Sequence, residues 1–195
     1  MSGSAAVGPG PLTVALLRGG PRAAVKVAVV ALHLRGAVVP GPPVTIRTSA
    51  PSPGTPFVSG LPLERAVRGS LYLPAGMREL MDRPRVRRAL VELRGEAAAA
   101  GLLRRLPPCR TRAARRVLRE LRAAVPPPTG PEGLATADVL LAVALYGDAA
   151  LTVLVPRFTE AAGLKGRGGR EKRGLPRSGD VGGDAFTGCA GGWGA

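Results

Sequence analysis

The sequence has few of the residues that usually carry specific chemistry. Aromatic residues make up only 3% of the 195 residues, and the chain has one histidine, two cysteines, and neither asparagine nor glutamine. So few aromatics exclude a stacking platform for single-stranded nucleic acid and a core anchored by large rings. The side chains that most often recognise adenine are missing as well. With 45% apolar residues, we expect a packed core built from Leu, Val and Ala.

Negative charge is also scarce. The chain has 28 Lys and Arg against 13 Asp and Glu, which gives a net charge of +15. Nearly all of the positive charge is arginine, since the only lysines are Lys26, Lys165 and Lys172. This balance is typical of proteins with a polyanionic partner such as nucleic acid or an anionic membrane surface. A GC-rich coding bias produces the same composition without any such partner, so both interpretations stay open.

The cysteines and the histidine predict no metal site and no cofactor. Cys109 and Cys189 are far apart in the sequence, and neither lies near His33. This spacing forms no zinc pattern and no disulfide framework, so we expect a reducing, cytoplasmic compartment. The N-terminal run has no basic segment before its apolar residues, which argues against a secretory signal.

Two apolar runs are candidates for a membrane span, and neither is suited to it. The run Val27–Leu32 is far too short to cross a bilayer. The run 134–158 is long enough but is interrupted by Asp138, Gly147 and Asp148. Because a central aspartate is costly in lipid, we predict two helices packed in a protein core, with a break at Gly147.

The periodicity predicts a mainly α-helical protein with one short β-hairpin. Pro21 suits the first position of a helix that ends before Gly36, and the alternation of Val44, Ile46 and Thr48 predicts a strand after it. A helix followed by a hairpin is the order of a winged helix, and a faint internal repeat predicts two winged-helix-like units. The predicted organisation is a disordered N-terminus (1–11), a first helix-plus-hairpin unit (12–48), a linker (49–60), a second helical unit (61–125), a C-terminal helix pair (134–164) and a disordered, basic, Gly-rich tail (165–195).

The helix predicted over Pro21–Arg35 is apolar nearly all the way round. A helix of that kind is buried, whereas a recognition helix in a DNA groove needs a polar face with base-reading side chains. We therefore expect Val25, Val29 and Leu32 to lie in the core. The prediction is a helix and hairpin that resemble a winged helix in shape but do not bind DNA through this helix.

Four segments of the chain resemble an uncharacterised actinobacterial family of Ala/Arg-rich domains. The segments are "LRGGPRAAVKVAVVALHLRGAVV", "PLERAVRGSLY", "VRRALVELRGEAAAAGLL" and "DVLLAVALYGDAAL", and the resemblance covers about residues 12–164. Many members of that family are described as membrane proteins and end in a Gly-rich or Gly/Cys-rich tail. The resemblance implies no activity or functional residue, because none is established for the family. Where relatives have hydrophobic segments, this chain has a run rich in Arg and Pro (104–130), which cannot span a membrane.

The titratable residues predict no enzyme. The acids are scattered along the chain, and the spacing of Arg88, Glu92 and Glu96 is that of a solvated, salt-bridged helix face. His33 and Cys109 are the only formal nucleophile–base combination, but His33 precedes a helix end, where histidine commonly interacts with free carbonyls. We predict no catalytic, cofactor-binding or metal-binding residue.

The second unit carries the better candidate contact surface, a stretch with many arginines and three acids, and the basic tail is a weaker candidate for RNA or anionic lipid. We predict that the following arginines contact nucleic acid or another anion: Arg83, Arg85, Arg87, Arg88, Arg94, Arg112, Arg115, Arg116 and Arg119. A solvated basic face without a partner is the competing interpretation, and we favour it modestly.

Three functional hypotheses follow. The first is a non-catalytic interaction or scaffold module, with a protein partner favoured. The second is a DNA-binding regulator of the winged-helix type that uses the Arg-rich second unit. The third is peripheral association with an anionic membrane surface.

Overall fold

The computed structural model describes residues 8–49, 60–104, 109–130 and 133–165. Within these ranges the protein is mainly helical, with one antiparallel β-hairpin, as predicted. Residues 1–7, all but the ends of the predicted linker (49–60), and the predicted tail after Lys165 lie outside the described residues. The division into two winged-helix-like units stays a prediction.

The first helix, α1 (Pro11–Leu34), is longer than the sequence predicts. It contains a break at Gly20 (φ 73°, ψ −166°), and Pro21 starts the second segment, as predicted. The sequence predicts a helix that starts only at Pro21, but the residues before it are helical as well and bury Leu16 and Leu17 completely. The Gly–Gly–Pro sequence bends the helix because glycine tolerates positive φ and proline supplies no amide proton.

The second segment of α1 is enclosed on all sides, as predicted. Val25, Val29 and Leu32 are each 0% exposed. Helix α1 ends where Gly36 adopts φ +71° and the amide of Ala37 donates to the carbonyl of Leu32 over 2.8 Å. This left-handed glycine exit is the predicted end of the helix.

The hairpin consists of β1 (Val38–Gly41) and β2 (Thr45–Thr48), with Val38 opposite Thr48. Its buried side chains include Val38 and Ile46, which join the core around α1. Ile46 also pairs with Ala75 in an isolated antiparallel bridge. The hairpin therefore covers the end of α1 and holds the chain segment around Ala75 in place.

Seven further helices follow the hairpin in the described ranges. They are α2 (Pro62–Ser70), α3 (Met77–Asp82), α4 (Pro84–Ala99), α5 (Arg112–Ala124), α6 (Thr136–Tyr146), α7 (Asp148–Leu154) and α8 (Pro156–Ala161). Helix α1 packs against α2, α4, α5 and most extensively α6. The buried apolar side chains form one cluster that extends from Leu12 to Leu164.

The C-terminal part contains three helices where the sequence predicts two. The predicted break at Gly147 is present, with φ +63°, but a second break falls at Val155, directly before Pro156. Proline cannot donate a helical hydrogen bond, and it disfavours the helical conformation in the residue before it. Neither α6 nor α7 has a side-chain cap, and their N-cap residues are Ala135 and Gly147.

Candidate polyanion-binding surface

Arg83, at the start of α4, is engaged within the protein. Its guanidinium group donates to the Glu79 carboxylate over 2.5 Å and to the Tyr72 hydroxyl over 3.1 Å. It also lies over the Tyr72 ring, 5.3 Å from the ring centroid. The side chain is only 20% exposed, so its donors are largely committed to the protein.

Arg87 and Arg88, two arginines within α4, are exposed but paired. Arg87 bonds to Asp82 over 2.8 Å, and Arg88 bonds to Glu92 over 3.3 Å. The Arg88–Glu92 pair is the salt-bridged face that the sequence spacing predicted. Exposed pairs of this kind contribute little stability, but each carboxylate cancels much of the field of its arginine.

The last two predicted arginines of this region differ from each other. Arg85 is exposed, and one of its guanidinium nitrogens lies against Gly69 on the last turn of α2. Arg94 is half-buried, and its Nε is enclosed without a hydrogen-bond partner among the described residues. The structure therefore does not arrange the α4 arginines as one free basic surface.

Helix α5 presents a different arrangement, which we call the α5 arginine face. At about 100° per residue, five arginines fall within an arc of about 120° on the outer side of the helix. All five are exposed, and in the described ranges none of them forms an ion pair. They are Arg112, Arg115, Arg116, Arg119 and Arg122.

The opposite side of α5 fixes this face in place. Ala114 and Leu118 are 0% and 4% exposed and join the core. Thr111 caps the helix by accepting from the amide of Ala114 over 3.2 Å, and its hydroxyl donates to the carbonyl of Gly101 over 2.8 Å. The start of α5 is thereby tied to the end of α4, and the arginines point away from the core.

The α5 arginine face is electrostatically unfavourable for the helix itself. Its first turn contains no acid, although the N-terminal end of a helix dipole favours negative charge. Arg112 and Arg116, and likewise Arg115 and Arg119, are like charges at i,i+4, which destabilise a helix. The only acid in α5 is Glu120. The arrangement therefore costs stability, and an anionic partner would relieve that cost.

Four of these five arginines are among the predicted contacts, and the structure places all four together. Arg122 was not among the predicted contacts. Arg122 follows Arg119 at i+3 on the same face, so helical periodicity was the signal that could have found it. Arg104 and Arg110, in the segment between α4 and α5, are exposed as well.

A second group of cations lies at the junction between α6 and α7, where it stabilises the fold. The Nε of Arg18 donates to the carbonyl of Ala144 over 2.7 Å, and its guanidinium group packs directly on Gly147. It thereby satisfies a carbonyl in the last turn of α6. Burial lowers the pKa of Arg18, Asp148 opposes this shift, and Arg122 adds to it. The sequence did not predict this contact, because 126 residues separate its partners.

Two further ion pairs connect distant parts of the chain. Lys26, almost buried on α1, bonds to Asp148 over 2.5 Å, and Arg35 bonds to the fully buried carboxylate of Glu64 over the same distance. Removing one partner of such a pair leaves a desolvated charge. These pairs position α1 against α7 and α2, and they explain how charged residues are accommodated beside an apolar core.

The formal Cys–His combination is not present as a catalytic pair. The His33 ring stacks on Phe158 with its centroid 3.7 Å away, and its Nδ1 lies 3.2 Å from the carbonyl oxygen of Val38. Cys109 is disulfide-bonded, so the expectation of no disulfide is wrong for this residue. A sulfur in a disulfide is not a thiolate nucleophile. Cys189 lies outside the described residues.

Comparison with protein-family models, curated proteins and solved structures found no match to this chain. In the described ranges, no helix has the length and apolarity needed to cross a membrane. The same ranges contain no group of three or more His, Cys, Asp or Glu side chains that could hold a metal ion. The α5 arginine face is thus the candidate site that the geometry itself supports.

Proposed function

We propose that this protein is a non-catalytic interaction module that binds an anionic partner through the α5 arginine face. The observation that carries the proposal is the set of five exposed arginines on one side of a firmly anchored helix, with no ion pair in the described ranges. Guanidinium groups match carboxylate and phosphate geometry with two parallel hydrogen bonds. The face extends about 15 Å from Arg112 to Arg122, so several anionic groups of one partner can contact it together.

The test measures binding of a fluorescently labelled heparin oligosaccharide as a generic polyanion. The double variant Arg115→Glu/Arg119→Glu reverses two charges on the face, and we expect its Kd to rise at least about tenfold. The matched control is Arg87→Glu/Arg88→Glu, which changes the net charge equally on α4. If both variants lose the same affinity, binding follows net charge and the proposal is wrong.

A DNA-binding regulator is the second candidate, and α5 is the element that supports it. The arginines that the sequence placed at the start of α4 are mostly engaged, whereas those of α5 can contact backbone phosphates. Such contacts position a protein on DNA without selecting a base sequence. Anisotropy titrations with labelled duplexes at two salt concentrations test this candidate. A regulator requires a target duplex bound about a thousandfold more tightly than random competitor.

The predicted cytoplasmic location and the resemblance to an actinobacterial family remain proposals. Disulfides rarely persist in a reducing compartment, so the state of Cys109 in the native host tests the predicted location. Mass spectrometry of the protein alkylated without reduction, taken directly from its native host, measures the cysteine state. A modified Cys109 thiol supports the cytoplasmic location, and an unmodified Cys109 that becomes modifiable after reduction contradicts it.

A further inference from the structure

The turn between α2 and α3 exposes adjacent large apolar side chains. Tyr72 is 70% exposed and Leu73 is 55% exposed, and Pro74 after them is exposed as well. The residues on either side, Leu71 and Ala75, are buried at 1% and 0%. Single exposed apolar residues are common on protein surfaces and need no explanation. Three exposed apolar residues in succession, between two buried residues, are less readily explained by chance.

The backbone around this turn is held from both ends. The amide of Ala75 donates to the carbonyl of Ile46 over 3.0 Å, and the amide of Ile46 donates back over 2.9 Å. The amide of Leu71 closes the end of α2 by donating to the carbonyl of Arg68 over 3.1 Å. The 72–74 turn is therefore a fixed feature that directs its side chains outward.

The Tyr72 ring is also oriented before any partner arrives. Arg83 lies over one face of the ring and donates to its hydroxyl, while Glu79 holds the same guanidinium group. The remaining surface of the ring is exposed. A partner that covers it therefore gains apolar contact without first ordering the side chain.

The chain on either side of the turn is rich in positive charge. Residues 68–88 contain six arginines and two acids, and both acids, Glu79 and Asp82, are in ion pairs. Arg78, on the first turn of α3, and Arg85, against the end of α2, are exposed and form no ion pair in the described ranges. An apolar turn bordered by free arginines is complementary to a surface whose outer layer is anionic and whose interior is apolar.

We infer that the 72–74 turn docks this protein on an anionic lipid bilayer. Tyr72 and Leu73 enter the headgroup region, where amphipathic rings and apolar side chains are favoured. Arg78 and Arg85 contact lipid phosphates and carboxylates beside them. The α5 arginine face is not needed for this inference, which stands on separate residues.

The first experiment is co-sedimentation of the full chain with vesicles of phosphatidylcholine, with and without phosphatidylserine. We expect binding only to the vesicles that contain phosphatidylserine. The variant Tyr72→Ser/Leu73→Ser should reduce the partition coefficient roughly tenfold, because it removes the apolar contact. The matched control is Val91→Ser, which removes an apolar side chain that is 66% exposed on α4.

The second experiment places a tryptophan in the turn and reports contact directly. The chain has one tryptophan, so Leu73→Trp is made in a Trp193→Phe background, with Val91→Trp in the same background as the control. We expect anionic vesicles to shift the emission of Leu73→Trp to shorter wavelength and brominated acyl chains to quench it. The Val91→Trp protein should show neither change.

Either of two results overturns the inference. One is an absence of sedimentation with phosphatidylserine vesicles, and the other is sedimentation in which the Leu73→Trp emission does not change. The α5 double reversal separates this inference from the proposed function. It should weaken heparin binding at least about tenfold and leave the Leu73→Trp shift in place, whereas the Tyr72→Ser/Leu73→Ser variant should retain heparin binding.

Discussion

Helices α4 and α5 both present many arginines, yet only α5 keeps a whole face of them without ion pairs in the described ranges. In α4 and the residue before it, Arg83, Arg87 and Arg88 are each bonded to a carboxylate within five residues in the sequence. In α5 the five arginines of the face have no ion pair in the described part of the chain. The number of arginines is therefore a poor guide to a binding surface, and the position of the nearby acids is a better one.

The two helices also differ in how they are held. Both bury one side, but α5 starts with a side-chain cap at Thr111, whereas the N-cap residue of α4, Arg83, makes no capping bond. The outer side of α4 includes an exposed apolar residue, Val91, between its charges. Four pairs of variants test the difference between α4 and α5.

The largest expected effect concerns the packing that fixes α5. Leu118→Ala should lower the free energy of unfolding by about 2–5 kcal/mol, because Leu118 is 4% exposed and its removal leaves a cavity. Val91→Ala on α4 should change it by less than about 0.5 kcal/mol. Urea unfolding followed by circular dichroism measures both. A small effect of Leu118→Ala would mean that α5 is not anchored through this side.

The next effect concerns salt dependence. If duplex DNA binds the α5 arginine face, Arg115→Ala/Arg119→Ala should reduce the slope of log K against log salt by about two. Arg87→Ala/Arg88→Ala on α4 should leave the slope nearly unchanged, because these arginines are already paired with carboxylates. Titrations at four salt concentrations give the slopes. An equal change for the two variants would remove the distinction between the helices.

A smaller effect is expected at the cap of α5. Thr111→Ala should lower the free energy of unfolding by about 1 kcal/mol, because the amide of Ala114 loses its acceptor. Thr136→Ala is the control, since Thr136 stands at the start of α6 and makes no capping bond. Thermal unfolding of both variants measures the difference. Equal losses would contradict the capping role of Thr111.

The smallest effects have opposite signs in the two helices. Arg112→Glu should raise the free energy of unfolding by about 0.5 kcal/mol, because it places an acid at a helix N-terminus and relieves repulsion by Arg116. Arg88→Glu should lower it by about as much, because a glutamate then faces Glu92 at i,i+4. Differential urea titrations at low salt resolve such changes. If Arg112→Glu lowered the free energy of unfolding, repulsion within the α5 arginine face would not destabilise the protein.

Local patterns predicted much of the fold. Pro21, Gly36 and Gly147 mark breaks that depend on the backbone properties of proline and glycine, and all three occur where expected. The break at Pro156 was missed, although the same physical rule applies to it. The Asp148 side chain, at the start of α7, bonds to Lys26, 122 positions away, and no local pattern marks such a contact.

The candidate surface was only partly predictable. The stretch of arginines was evident, and four members of the α5 arginine face were named from it. Which arginines are free depends on Glu79, Asp82 and Glu92, and only the last of these was recognised as a partner. The exposed turn at Tyr72 and Leu73 had no signal of its own, because an apolar pair after a helix is equally consistent with burial.

The sequence by itself determined that the second segment of α1 is buried and that the chain breaks at Pro21, Gly36 and Gly147. Those outcomes depend on local backbone sterics and on a helix being apolar all round. Only the tertiary structure decided which charges are cancelled, which carbonyl Arg18 satisfies, and which apolar residues stay outside. These outcomes depend on which residues, far apart in the chain, the fold brings close together in space. Electrostatic and packing energies fall steeply with distance in space, so only close neighbours contribute.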